Sequence, residues 1–174
     1  MSDFINLKVE ELKPKYETFV EPYFNTGSIF YNLENFEDKE FLLYSSDYSI
    51  RSIHQGIKES TYAEYKQKLD FILKDFGDIL NNKEAYYNFR NWYNLIFQFS
   101  DGLFLLILAN SCLSSALRFG PNGMNQSFGH RELIISEETF NNCKERLKNT
   151  DIFNMESQLK ENSVMFIDLP KSIL

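Results

Sequence analysis

Histidine, cysteine and tryptophan are nearly missing from this sequence, at two, two and one among 174 residues. A structural zinc site takes four ligands at short paired spacings. Cys112 and Cys143 stand far apart, each inside an amphipathic pattern, and His54 and His130 are isolated, so no metal is expected. The same two cysteines cannot build a disulfide framework. They read as buried thiols in a reducing compartment. Glycine and proline are scarce at seven and four, and there is no repeat, low-complexity tract or linker. The G-x-S-x-G elbow, H-E-x-x-H, C-x-x-C, Walker loop and dinucleotide fingerprint are all missing, so no cofactor is expected. The opening MSDFINLKVEELK has neither a basic nor an apolar signal region, which predicts a cytoplasmic protein.

Positive charge is also short, with 18 Lys and Arg against 25 Asp and Glu and a net charge of −7. The deficit is uneven: between Met1 and Tyr48 ten carboxylates face four lysines. Phosphate recognition wants the opposite sign, so nucleic acid is excluded as a partner. An acidic face suits a basic protein, by steering and by complementary contacts. The carboxylates Glu34, Glu37, Asp38, Glu40 and Asp47 are the candidate partner-binding residues; a solvated surface that only aids solubility is the plain alternative.

Aromatic and aliphatic residues are what the chain has in quantity, including 17 Phe and 10 Tyr. The stretch Ala85–Phe119 is the most apolar. Leu95, Phe99, Leu103, Leu106, Asn110, Leu113 and Leu117 recur at helical spacing, as do Tyr86, Phe89, Tyr93 and Ile96. Leu103 to Ala109 has no polar position, which predicts a buried helix. The run is too short to span a bilayer, and Asp101 interrupts its approach. Ser100-Asp101-Gly102 reads as a helix start, giving two helices with Asp101 as the cap.

Elsewhere, Ile5, Val9, Leu12, Tyr16, Phe19 and Tyr23 keep helical spacing across a kink at Pro14. Residues 28–44 fit short strands or loop and helix equally. Ile50, Ile53 and Ile57 predict a helix capped by Ser46 or Asp47, with Gly56 near its end. Thr61-Tyr62-Ala63-Glu64 is a capping box, followed by the stripe Tyr62, Tyr65, Leu69, Ile72, Phe76 and Ile79. Lys66, Lys68, Asp70, Lys74, Asp75 and Asp78 read as that helix's wet face. The stretch 120–130 is a connecting loop whose Gly120, Gly123 and Gly129 could cradle an anion, and it is the first candidate for a recognition loop. A short strand at 132–135, a helix from Ser136 to Lys148, another from Asp151 to about Asn162, and an apolar tail or edge strand complete the chain. The fold class expected is mainly α: one globular domain over residues 1–174, a helical bundle around a buried central helix pair, with a few short strands and α+β as the alternative.

The functional expectation is a non-catalytic inhibitor that binds a basic protein. In size, acidity and missing chemistry the chain is similar in general character to bacterial immunity proteins and antitoxins that neutralise basic toxins such as nucleases, a likeness of class that no motif carries. The alternatives are a small phosphodiester-cleaving enzyme using His54 and His130 with Asp101 or Glu132 in support, and a helical adaptor or regulatory subunit. The aromatics Tyr86, Tyr87, Phe89, Trp92 and Tyr93 read chiefly as core, with Trp92 or Tyr87 as a minor candidate for an interface anchor.

Overall fold

In a computed structural model of the chain, residues 11, 17–33, 39–97, 100–115, 117–130, 135–154 and 161–167 are described. Five α-helices lie among them, but so does a parallel sheet, and the mainly α expectation is therefore wrong. The fold is of the mixed α/β kind because both ends of the chain supply strands. The chain divides into two compact units, one of residues 1–50 with 146–174 and one of residues 51–145.

The first unit is built on a four-stranded sheet of β1 (Thr18–Glu21), β2 (Glu40–Tyr44), β5 (Ile152–Phe153) and β6 (Ser163–Met165), in the order β5-β2-β1-β6 with every pairing parallel. All four residues of β1 are buried, as a central parallel strand requires. Two-residue alternation then separates two apolar layers. Phe19 stands in register with Phe41 and Val164, and these pack with Ile29, Leu33 and Phe166. Val20 stands in register with Leu42 and Met165, and packs with Tyr44. A one-turn 3₁₀ helix, Phe30–Asn32, sets the Phe30 ring 5.1 Å from that of Phe41.

Two sequence expectations fail here. Phe19, placed on a helix, lies in β1, and the helix expected from Asp151 is replaced at its start by β5. In both places a short apolar run was compatible with either periodicity, and pairing with strands distant in sequence decided the outcome. Of the ambiguous stretch 28–44, EFLLY is β2 whereas SIFY enters the 3₁₀ turn. The strand expected at 132–135 lies outside the described residues except for Ile135.

Arg146 closes this unit with two hydrogen bonds, donating from Nη1 to the Phe30 carbonyl at 3.0 Å and from Nη2 to that of Leu33 at 2.5 Å. Charge-assisted bonds of this type contribute about 1.5–3 kcal/mol each before solvent exposure is considered. Arg146 is itself exposed, so Arg146→Ala is expected to cost about 1–2 kcal/mol in urea unfolding, with Arg146→Lys recovering less than half because an ammonium cannot span both carbonyls.

The second unit is helical. α1 (Tyr48–Glu59) enters it, followed by α2 (Tyr62–Asp75), α3 (Lys83–Ile96) and α4 (Gly102–Ser111); α5 (Glu137–Leu147) leaves it. Local chemistry sets the starts. The Asp47 carboxylate accepts the Ser49 N–H at 2.8 Å before α1. Thr61 and Glu64 form the reciprocal capping box of α2. Asn82 takes the Glu84 and Ala85 N–H groups at 2.9 and 3.2 Å, and Ser136 takes that of Thr139 at 3.1 Å. Gly77, at φ +88°, follows the end of α2 in a left-handed conformation that a side chain would strain.

Every residue of α4 except Asn110 is buried, as the unbroken apolar run requires. It does not continue α3, which ends at the cap Phe97, and starts afresh at the cap Asp101. The two stripes drawn from sequence do not stay buried to their ends: Leu95 is 78% and Ile96 60% exposed at the end of α3, and Leu113 54% beyond the end of α4. α1 and the start of α4 approach until backbone meets backbone. A Cβ on Gly102 would lie 1.8 Å from the Ser52 carbonyl oxygen, and one on Gly56 would lie 3.2 Å from the Gly102 carbonyl carbon. Gly56, near the end of α1 as expected, serves this crossing. Tyr65 packs against Phe140 of α5 with ring centroids 5.6 Å apart, and burial pushes its phenol up to about 12. Among the described residues no helix is long and apolar enough to cross a membrane.

Candidate functional site

Of the five carboxylates singled out from sequence, Glu34, Glu37 and Asp38 lie outside the described residues. Asp47 is exposed and caps α1. Glu40 is exposed at the first position of β2, where it accepts a hydrogen bond from the Thr18 hydroxyl at 2.9 Å. Because the sheet is parallel, the N-terminal ends of its strands gather on one rim. The Glu17 N–H donates to the Asn162 carbonyl at 2.8 Å, and the Glu40 N–H to the Glu17 carbonyl at 3.1 Å. Thr18 is in register with both Glu40 and Ser163. Glu17, Glu40 and Glu161, all exposed, thus come to one end of the sheet. The unit of residues 1–50 and 146–174 holds 14 of the 25 carboxylates and 8 of the 18 basic side chains. Glu17, counted only among the acids of the first quarter of the chain, and Glu161 were not among the partner-binding residues chosen from sequence, and only the strand order joins them to Glu40.

The alternative catalytic set is dispersed in role. His54 is 4% exposed within α1. His130 is exposed beside Asp78, whose carboxyl is held below its usual range chiefly by the Asn81 side chain, then by the Leu80 and Asn81 N–H groups and the nearby imidazole. Glu132 lies outside the described residues. Asp101 caps α4, with Oδ1 accepting from Leu103 N at 3.1 Å and Phe104 N at 3.0 Å, while Oδ2 receives the Lys68 ammonium at 2.6 Å. Among the described residues no three His, Cys, Asp or Glu side chains converge as a metal-binding group.

The glycine-rich loop turns out to be tied down along its length. Tyr86, Arg90 and Asn94, at i, i+4 and i+8 on α3, grip its backbone. The Tyr86 hydroxyl and Arg90 Nη1 both donate to the Gln126 carbonyl at 2.9 Å. The Asn94 amide both donates to and accepts from the Met124 backbone at 2.9 Å, as a neighbouring strand would. Phe119–Gly120 (β3) and Gly123–Met124 (β4) form a minimal antiparallel pair, and Cys112 bridges to Phe128. A Cβ on Gly129 would lie 2.6 Å from the Leu113 backbone, so this glycine admits the close approach of two chain segments. Arg90, read beside the aromatics, spends its charge on the loop and on the Tyr87 ring at 4.7 Å.

A solvent-open cleft of about 430 Å³ lies between α2 and the start of α4, lined by Ser60, Glu64, Gln67, Lys68, Phe71, Leu103 and Phe104. Glu64, Gln67, Lys68 and Phe71 project into it from one α2 face because they recur at three- and four-residue steps. Lys68 sits 4.2 Å from the Phe104 ring centroid while paired with Asp101. Phe71 is 37% exposed. Behind it Trp92 packs among five rings, those of Phe71, Phe76, Phe89, Phe97 and Phe104, at centroid distances of 5.3–5.9 Å. Lys68 was read from sequence as wet surface, and its partner Asp101 as a cap, with support of the histidine pair as its alternative role. The chain matches no protein-family model and no curated protein sequence.

Proposed function

We propose that this protein is a non-catalytic inhibitor that binds a basic protein partner in the cytoplasm, in the manner of an immunity protein or antitoxin covering a cationic toxin such as a nuclease. The observation that carries this reading is the acidic end of the sheet, where the backbones of Glu17, Glu40 and Asn162 are joined and Glu161 adds a third exposed carboxylate. Carboxylates presented from three chain segments on one rim give a field that steers a cationic surface and then pairs with its Lys and Arg side chains. The net charge of −7 acts in the same direction at longer range. Because Glu40 is also engaged by Thr18, part of the rim is held in place before a partner arrives, which lowers the ordering cost of association.

The test is association kinetics with a basic protein recovered by pull-down on the wild-type chain. Replacing Glu34, Glu37 and Glu40 with Gln and Asp38 with Asn is expected to slow association by roughly 10-fold or more at low ionic strength and to flatten its salt dependence. Adding Glu17→Gln and Glu161→Gln should slow it further. An association rate unchanged by the first four substitutions removes the proposal.

A further inference from the structure

The geometry points to the α2–α4 cleft as a binding site for a small neutral molecule that carries an aromatic ring and an amide- or hydroxyl-type edge. Its volume of about 430 Å³ falls within the range of small-molecule sites, roughly 300–1,000 Å³. The ring preference comes from Phe71 and Phe104, whose centroids are 6.1 Å apart at 50°. They leave a half-open aromatic wall beside Leu103, and a third ring against such a wall gains both buried area and edge-to-face contact. The polar edge is met by Ser60, Gln67 and Glu64 along one side of the cleft.

Charge decides the rest. An anionic ligand would have to share the Lys68 ammonium with Asp101, 2.6 Å away, and so weaken its pairing with the carboxylate that caps α4. A cationic ligand would meet Lys68 itself, and would gain only Glu64, one of whose oxygens already accepts both the Thr61 N–H and its hydroxyl. Lys144 adds a further positive charge close by, with its ammonium 2.6 Å from the Ser60 carbonyl. Charges of both signs are thus already paired or matched at the rim, and a neutral ligand disturbs none of them. Pockets with a few converging polar groups over an apolar wall bind such molecules by shape and hydrogen bonding.

The protein carries its own reporter, since Trp92 is the only tryptophan and its ring centroid lies 5.6 Å from those of both Phe71 and Phe104. Three probes share one ring and differ in charge: benzamide, benzoate and benzamidine. Titrated into the full chain, benzamide is expected to change Trp92 emission saturably, with a Kd on the order of millimolar for so few atoms. Benzoate and benzamidine should bind at least about fivefold more weakly. Ligand-observed NMR saturation transfer supplies a second readout that does not depend on the aromatic cluster. Phe71→Ala, at an exposed position, should weaken benzamide by roughly 10-fold, and Gln67→Ala, which leaves every ring in place, by about threefold. No saturable benzamide signal up to about 50 mM overturns the inference, given the millimolar affinity expected of a ligand this size. Equal binding of all three probes, or an unchanged Kd in both variants, overturns it as well.

Discussion

Gly102→Ala is expected to lower the thermal midpoint by roughly 6–12 °C, the equivalent of about 3 kcal/mol in a chain of this size. The cause is a collision that no rotamer relieves. The added methyl would sit 1.8 Å from the Ser52 carbonyl oxygen and 2.5 Å from its carbonyl carbon, and both belong to the backbone of α1. The helices must separate, and α4 is buried on nearly every side, so the displacement propagates into a packed interior. Two other glycines calibrate the effect. Gly77→Ala meets nothing nearer than the Ala85 methyl at 3.8 Å, and carries only the cost of a left-handed backbone, about 1–2 kcal/mol. Gly56→Ala makes contacts at 3.2–3.3 Å, partly offset by about 1 kcal/mol of helix propensity, and should fall nearest to wild type. Urea and thermal unfolding of the three variants give the ranking directly. If Gly102→Ala proves no more costly than Gly77→Ala, the helices are not in backbone contact.

The second large effect is expected at Asp101, where one carboxylate serves two partners. Asp101→Ala leaves Leu103 and Phe104 N–H groups without their acceptor at the mouth of an apolar helix, and leaves Lys68 without its counter-ion. An N-cap contributes about 1 kcal/mol, and a half-exposed ion pair between 0 and about 1 kcal/mol. The alanine variant should therefore lose about 2 kcal/mol. Asp101→Asn separates the two contributions, since its amide oxygen still caps α4 while the charge is gone. It is expected to lose less than about 1 kcal/mol, and that loss should shrink further in high salt. Equal losses for Asn and Ala would mean that the ion pair, not the cap, holds this end of α4.

What could be read from sequence in this molecule is what is decided locally. Thr61 with Glu64, Asp101 and Ser136 all cap where their spacing placed them, because an N-cap needs only residues within one turn. The all-apolar run from Leu103 to Ala109 is buried as its composition demands. The sheet was not legible for the converse reason. β5 and β6 are two and three residues long, and β1 is buried throughout, so none shows the alternation that marks a half-exposed strand. Thr18 pairs with Glu40 and with Ser163, contacts that no window along the chain contains. The same limit hid the sites. Glu161 joins Glu17 only through strand order, and Lys68 joins Asp101 only because α2 packs against the start of α4. Leu95 shows the opposite error: a helical pattern was extended across a break that the Ser100-Asp101-Gly102 signal had already announced.

The connectivity of the sheet has a consequence for the birth of the protein on the ribosome. Its two inner strands leave the tunnel first, while both flanking strands come from the last quarter of the chain, beyond the entire run of helices. At about 5–20 residues per second, β1 and β2 must wait roughly 5–20 s for β5. During that interval Phe19, Val20, Leu42 and Leu43 belong to a nascent ribbon open along both sides, the form in which apolar strands recruit the wrong neighbour. Nascent chains stalled between Leu147 and Ile152 should therefore be held by chaperones more avidly than chains released at full length.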